Sequence, residues 1–232
     1  MIKTILLDIE GTTTPIDFVH KVLFPFAADR VESYVATHFA KLSTEIAQLA
    51  AEHSADAEYG FPFNDSSPDS VSDYLRYLIE IDRKSTPLKF IQGMIWQEGF
   101  EAGELKSEMF ADVPAAFARW REQGKAIAIY SSGSVLAQKL LFKYTAFGKL
   151  TPFISSYFDT NTGGKREAQS YRRIADLLGL EPATILFVSD IPEELNAASE
   201  AGVSVVLSVR PGNEPVEGNE ISRTITSLLD LF

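Results

Sequence analysis

The sequence predicts an α/β fold, a doubly wound parallel sheet carrying an inserted helical domain. Three observations carry this. Short, near-continuous apolar runs recur along the chain and read as strands buried on both faces. Helical stripes separate the later runs. More than a hundred residues without a clear strand lie between the first run and the second.

The first run, Ile2 to Leu7, is too short for a helix and ends in the acids Asp8 and Glu10. The further runs are Ala126 to Tyr130, Ile185 to Val188 and Val203 to Val209. Between them, Val113, Ala116, Phe117 and Trp120 follow helical spacing, with Gly124 as the stop. Tyr171, Ile174, Ala175 and Leu178 repeat that spacing before Gly179, and Ile191, Leu195 and Ala198 repeat it before Gly202. In the long interval, Val71, Tyr74, Leu75 and Leu78 form a stripe, and Val19 to Phe39 and Thr86 to Leu105 look helical. One crossover helix needs far fewer residues. Residues 15–110 therefore read as a helical insertion, and 1–14 with 111–232 as the core. Tyr59 to Asp69 and Pro211 to Gly218 read as loops.

The composition is that of an ordinary globular chain, 45% hydrophobic and 23% charged over 232 residues. A net charge of -11 repels polyanions, which argues against nucleic acid or an anionic membrane as partner. Without cysteine there are no disulfides, thiolate metal sites or thiol nucleophiles. No stretch reaches membrane-spanning length, and the acids after Leu7 cut short any signal-like start. The expectation is a cytoplasmic monomer.

In an open α/β sheet, ligands bind beyond the carboxyl ends of the strands. Those ends present Asp8 and Glu10, then Ser131 and Ser132, then Asp190, while Lys165 follows a Gly163-Gly164 pair at a helix start. A carboxylate such as Asp8 can attack phosphorus and split one hard displacement into two. A second acid, Glu10, can protonate the leaving oxygen and later activate water. Mg2+ takes a few carboxylates plus phosphate and water oxygens, so Asp8, Glu10 and Asp190 are its candidate ligands. Ser131 and the amides of Ser132 and Gly133 can hold phosphoryl oxygens, and Lys165 adds a fixed positive charge. Taken singly, each has an ordinary reading: a turn or cap for Asp8, Ser131 and Asp190, a solvated helix residue for Lys165. Their coincidence in order, position and charge carries the argument. Glu193 and Glu194 suit a helix start and are ambiguous. His20, His38 and His53 lack metal-ligand spacing and read as surface or cap residues.

These residues resemble the four motifs of the haloacid dehalogenase-like phosphohydrolases: Asp8-Ile9-Glu10-Gly11-Thr12, Ser131, Lys165 and Ser189-Asp190. A helical cap inserted after the first motif is also typical. Glu10 departs from the usual aspartate and narrows the resemblance to the enolase-phosphatase family. Gln92 to Trp96, Gly103 to Lys106, Tyr130 to Ser134, Phe158 to Thr160 and Ser170-Tyr171 support that match. The resemblance implies enolisation of 2,3-diketo-5-methylthiopentyl 1-phosphate in methionine salvage, followed by removal of its phosphate to give an acireductone. It implies Asp8, Glu10 and Asp190 at the metal, and Ser131, Ser132 and Lys165 on the substrate. Phe18, Phe24, Phe26 and Trp96 are candidates for an apolar wall around the methylthio end, with a plain core role as the ordinary reading.

Motif chemistry alone leaves another phosphatase of the same superfamily open. A metal-free dehalogenase fits the acids at 10 and 190 less well. A phospho-accepting receiver module is shorter, lacks the insertion and carries its aspartate on a later strand.

Overall fold

The computed structural model describes residues 1–216 and 223–232, so the end of the Pro211 to Gly218 loop lies outside the described residues. Strands β1 (Thr4–Leu7), β2 (Ala126–Tyr130), β3 (Ser156–Phe158), β4 (Ile185–Ser189), β5 (Ser204–Ser208) and β6 (Thr224–Ile225) form one sheet. Its order is β3-β2-β1-β4-β5-β6, and every ladder is parallel. The chain winds from β1 toward β3 on one side and from β4 toward β6 on the other. The switch point therefore lies between β1 and β4, where Leu7 stands opposite Val188.

The helices are α1 (Ile16–Phe18), α2 (Phe24–His38), α3 (Ser43–Ala55), α4 (Pro68–Glu80), α5 (Thr86–Glu101), α6 (Val113–Glu122), α7 (Val135–Lys143), α8 (Ala168–Leu178) and α9 (Pro192–Glu200). β1 is wholly buried, which is why Ile5, Leu6 and Leu7 are apolar without alternation. On one sheet face Leu6, Tyr130 and Phe187 pack with Tyr171 and Ile174 of α8 and Leu195 and Ala198 of α9. Phe117 and Trp120 of α6 are fully buried, and α6 packs on β2. The expected α/β class and parallel sheet are present.

The elements absent from the sequence reading are short or weakly patterned. β3 and β6 have three and two residues, too few to show a period. In α3 only Ile46 and Leu49 are buried, so its stripe is faint. α7 begins at Val135, after Ser134, whose Oγ accepts from Ala137 N.

The chain divides into two compact units, Met1–Val19 with Lys106–Phe232, and His20–Leu105. The insertion expected at 15–110 is thus five residues longer at each end than the helical unit. In that unit α2 packs on α4 and α5, and α3 on α5. Ser67 and Ser85 cap α4 and α5, each followed by proline in the first turn. Trp96 is buried, donates from Nε1 to the Leu23 carbonyl at 2.8 Å and stacks on Phe24. Phe26 lies under the Arg30 guanidinium. Trp96 thus serves as a packing residue of the helical unit. His53 sits among Tyr59, Phe63 and Tyr74 rather than at a cap. Among the described residues no helix is long and apolar enough to cross a membrane.

Candidate active site

β1 delivers Asp8 to the switch point, and the Asp8 amide still donates to Val188 O at 3.0 Å. The chain then turns. The amides of Thr12, Thr13 and Thr14 all reach the Ile9 carbonyl, and Gly11 takes φ +65. Strand alternation therefore does not govern Glu10: β1 ends at Leu7. Glu10 is half-buried and bridges to Thr14.

Asp8 is 5% exposed. Its Oδ1 accepts from Ile9 N at 2.8 Å and lies 2.6 Å from Lys165 Nζ. The same Nζ is 2.7 Å from Glu194 Oε2. Ser189 Oγ stands 2.9 Å from Glu194 Oε2 and 3.3 Å from Asp8 Oδ2, so its one hydrogen can serve either carboxylate. Lys165 does not start a helix; α8 begins three residues later, at Ala168. Tyr171 donates to the Lys165 carbonyl at 2.6 Å and Tyr130 to the Gly163 carbonyl at 2.8 Å. A Cβ on Gly163 would meet Ser170 Oγ, so the tight turn before Lys165 requires glycine.

Asp190 follows β4 and is 8% exposed. Burial, then the charge of Asp8, push its carboxyl up to about 7. Glu194 is raised to about 7 by burial and then by Asp8. Burial opposes the Lys165 charge, but Asp8 and Glu194 outweigh it and hold the ammonium above the ordinary lysine value. The cluster is therefore acid-rich around one buried cation. Among the described residues no three acid or histidine side chains converge as a metal cage.

Ser131 follows β2 and is buried, while Ser132 is half-buried. Ser131 N donates to Phe158 O at 3.2 Å, and its Oγ accepts from Gly133 N at 3.1 Å. The Gly133 amide is thus engaged within the turn. Gln138 spans the same turn, donating from Nε2 to Gly133 O and Phe158 O at 2.8 Å each.

Asp8, Lys165 and Ser189 thus meet in direct contact, and Asp190 lies beside Gly11 at the same rim. The haloacid dehalogenase-like hydrolase family model matches residues 2–202. Over 220 residues the chain is 53% identical to Enolase-phosphatase E1 of Synechococcus elongatus, covering 93% of this chain and 92% of that one. The chain belongs to the enolase-phosphatase family of the haloacid dehalogenase-like hydrolases. Enolase-phosphatase E1 of Leptospira borgpetersenii is 51% identical over 210 residues, 90% of each chain. The crystal structure of the UTR4 protein from Saccharomyces cerevisiae superposes with TM-score 0.79 at 33% identity over 98% of both chains. This member of the enolase-phosphatase family is an enzyme, a phosphatase.

Three supports of the enolase-phosphatase site have no role assigned from sequence. Glu194 was indistinguishable from Glu193 until the phase of α9 turned the first inward and the second out to solvent. Arg210 and Asn213 follow β5, the first just before and the second within the Pro211 to Gly218 stretch read as a loop. Arg210 Nε donates to Thr12 O at 3.2 Å, and Asn213 Nδ2 donates to Gly11 O at 3.0 Å. Their position just beyond a strand's carboxyl end was the available signal.

Proposed function

We propose that the chain enolises 2,3-diketo-5-methylthiopentyl 1-phosphate and then hydrolyses its phosphate ester, the acireductone-forming step of methionine salvage, with Asp8 as nucleophile. The observation that carries this is the buried Asp8 carboxylate held by Lys165 at 2.6 Å at the sheet's switch point. In the first step Glu10 removes a proton from the carbon between the carbonyl and the phosphate ester, and the electron pair moves onto the carbonyl oxygen as the enolate forms. In the second, an Asp8 oxygen attacks phosphorus, the ester P–O bond breaks, and the leaving enol oxygen takes the proton from Glu10. Water then cleaves the aspartyl phosphate with Glu10 accepting its proton, which returns Asp8 as carboxylate. Lys165 holds Asp8 and balances charge on the phosphoryl oxygens; Ser131 and Ser132 bind those oxygens.

The residues fit Mg2+. The donors are all oxygens, burial and the Asp8 charge disfavour an ionised Asp190 that lacks a cation beside it, and the Asn213 Oδ1 is buried without a hydrogen-bond partner among the described residues. Asp8 and Asp190 would hold the ion by their side chains and Glu10 by a main-chain or side-chain oxygen. Mg2+ held by one or two carboxylates usually keeps several of its waters. When bound, the ion supplies the positive charge that offsets repulsion between Asp8 and the substrate phosphate.

The test supplies the diketone phosphate with Mg2+ and follows enediol absorbance together with free phosphate. Both signals are expected, and Asp8→Asn should abolish phosphate release. Full activity in that variant overturns the nucleophile assignment. Phosphate release without an enediol signal instead assigns a general phosphatase of the same superfamily.

A further inference from the structure

The loop after β5 reaches back to the turn that follows Asp8. Asn213 Nδ2 donates to two carbonyls, Gly11 O at 3.0 Å and Ser208 O at 3.2 Å. Two acceptors on one side fix the amide's orientation, because an oxygen there would face both carbonyls. The other end, Oδ1, is consequently an oxygen, and it is buried with no hydrogen-bond partner among the described residues. An orphaned buried amide oxygen forfeits a hydrogen bond that water would have supplied.

Where that oxygen points is given by Gly11. A Cβ on Gly11 would lie 3.0 Å from Asn213 Oδ1 and 2.2 Å from Asp190 Oδ2. The amide oxygen and the carboxylate oxygen thus share one face of the Gly11 backbone. With Asp190 ionised both are acceptors, and neither satisfies the other. A group bearing hydrogens or positive charge between them satisfies both.

We propose that Asn213 is a positioning residue of the cation site: its Nδ2 clamps the Gly11 turn, and its Oδ1 accepts a hydrogen from a water of the bound Mg2+. This rests on the cation reading above. The small hydration-retaining Mg2+ ion leaves waters whose hydrogens need acceptors, and outer partners of this kind set affinity by about 10- to 100-fold.

Its two ends make separable predictions. Titration of the full-length protein with Mg2+ alone, by calorimetry, reads the Oδ1 role; thermal denaturation without Mg2+ reads the Nδ2 role. Asn213→Ala should weaken Mg2+ binding about tenfold and lower Tm. Asn213→Asp keeps an oxygen at Oδ1 but sets a carboxylate against the Gly11 and Ser208 carbonyls. It should lower Tm at least as much while holding Mg2+ affinity near wild type or tighter. Equal Mg2+ affinity in wild type and Asn213→Ala overturns the inference and leaves the cation reading intact. So does loss of affinity in both variants in step with Tm. No Mg2+ binding to the wild-type protein overturns the cation reading and the inference with it.

Discussion

Lys165 Nζ stands 2.6 Å from Asp8 Oδ1, with each side chain 6% exposed. That contact joins a residue at the end of β1 to one in the turn before α8, and Glu194 completes it from α9. A buried ammonium with two carboxylate partners is a rigid electrostatic support, since desolvation opposes any movement that leaves a charge unpaired.

Lys165→Met should therefore damage both function and fold. Phosphate release should fall by at least about a thousandfold. Removing one partner of a buried pair costs about 3–5 kcal/mol, a fall in Tm of roughly 6–20 °C for a chain of this size. A phosphate assay and a thermal melt read the two effects. A variant with wild-type turnover would remove Lys165 from the site.

Glu10→Gln should stop enolisation and phosphate release together, because one carboxylate serves both proton transfers. The enediol chromophore is the deciding signal. Unaltered enolisation in this variant would remove Glu10 as the base.

Tyr171→Phe deletes the donor to the Lys165 carbonyl and leaves that carbonyl buried. A stability loss of about 1–2 kcal/mol is expected. Because the tyrosine acts through Lys165, kcat should fall about tenfold, or about 1.4 kcal/mol, with KM little changed. A change confined to KM would assign Tyr171 to substrate contact instead.

Asp112 links the core segment before α6 to the end of the chain. Its Oδ2 accepts from Arg210 at 2.9 Å, Ser227 Oγ at 3.0 Å and Leu228 N at 2.6 Å. Burial works to raise its carboxyl, but the Arg210 hydrogen bond, the Leu228 amide and the Arg210 charge together hold it below the ordinary aspartate range. A depressed folded pKa means stability that is present above the unfolded value of about 3.9 and is lost as pH falls through the folded value. Asp112→Asn should cost about 2–3 kcal/mol at neutral pH, and the difference from wild type should shrink below about pH 4. A difference in melting temperature that stays constant from pH 7 to pH 3 would contradict this account.

Much of the fold was legible in the chain. Ile5 to Leu7, Ala126 to Tyr130 and Ile185 to Val188 are apolar without alternation, as strands covered on both faces are. Helical spacing marked α6, α8 and α9 because each buries one stripe against a sheet or helix. β3 and β6 were not legible, since two or three residues have no period, and α3 hides a two-residue stripe among alanines.

Asp8, Lys165, Ser131 and Asp190 could be named from sequence, because strand ends are where an open sheet binds ligands and because their order, position and charge coincide. Sequence by itself thus determined the fold class and named the candidate acid–hydroxyl–cation set. Only the tertiary structure decided which acid faces Lys165, that Glu10 lies past the strand's alternation, and that Asn213 closes on Gly11. Those are distances between segments far apart in the chain, set by parallel pairing and helix phase; local pattern encodes which face is buried, not which distant side chain shares it.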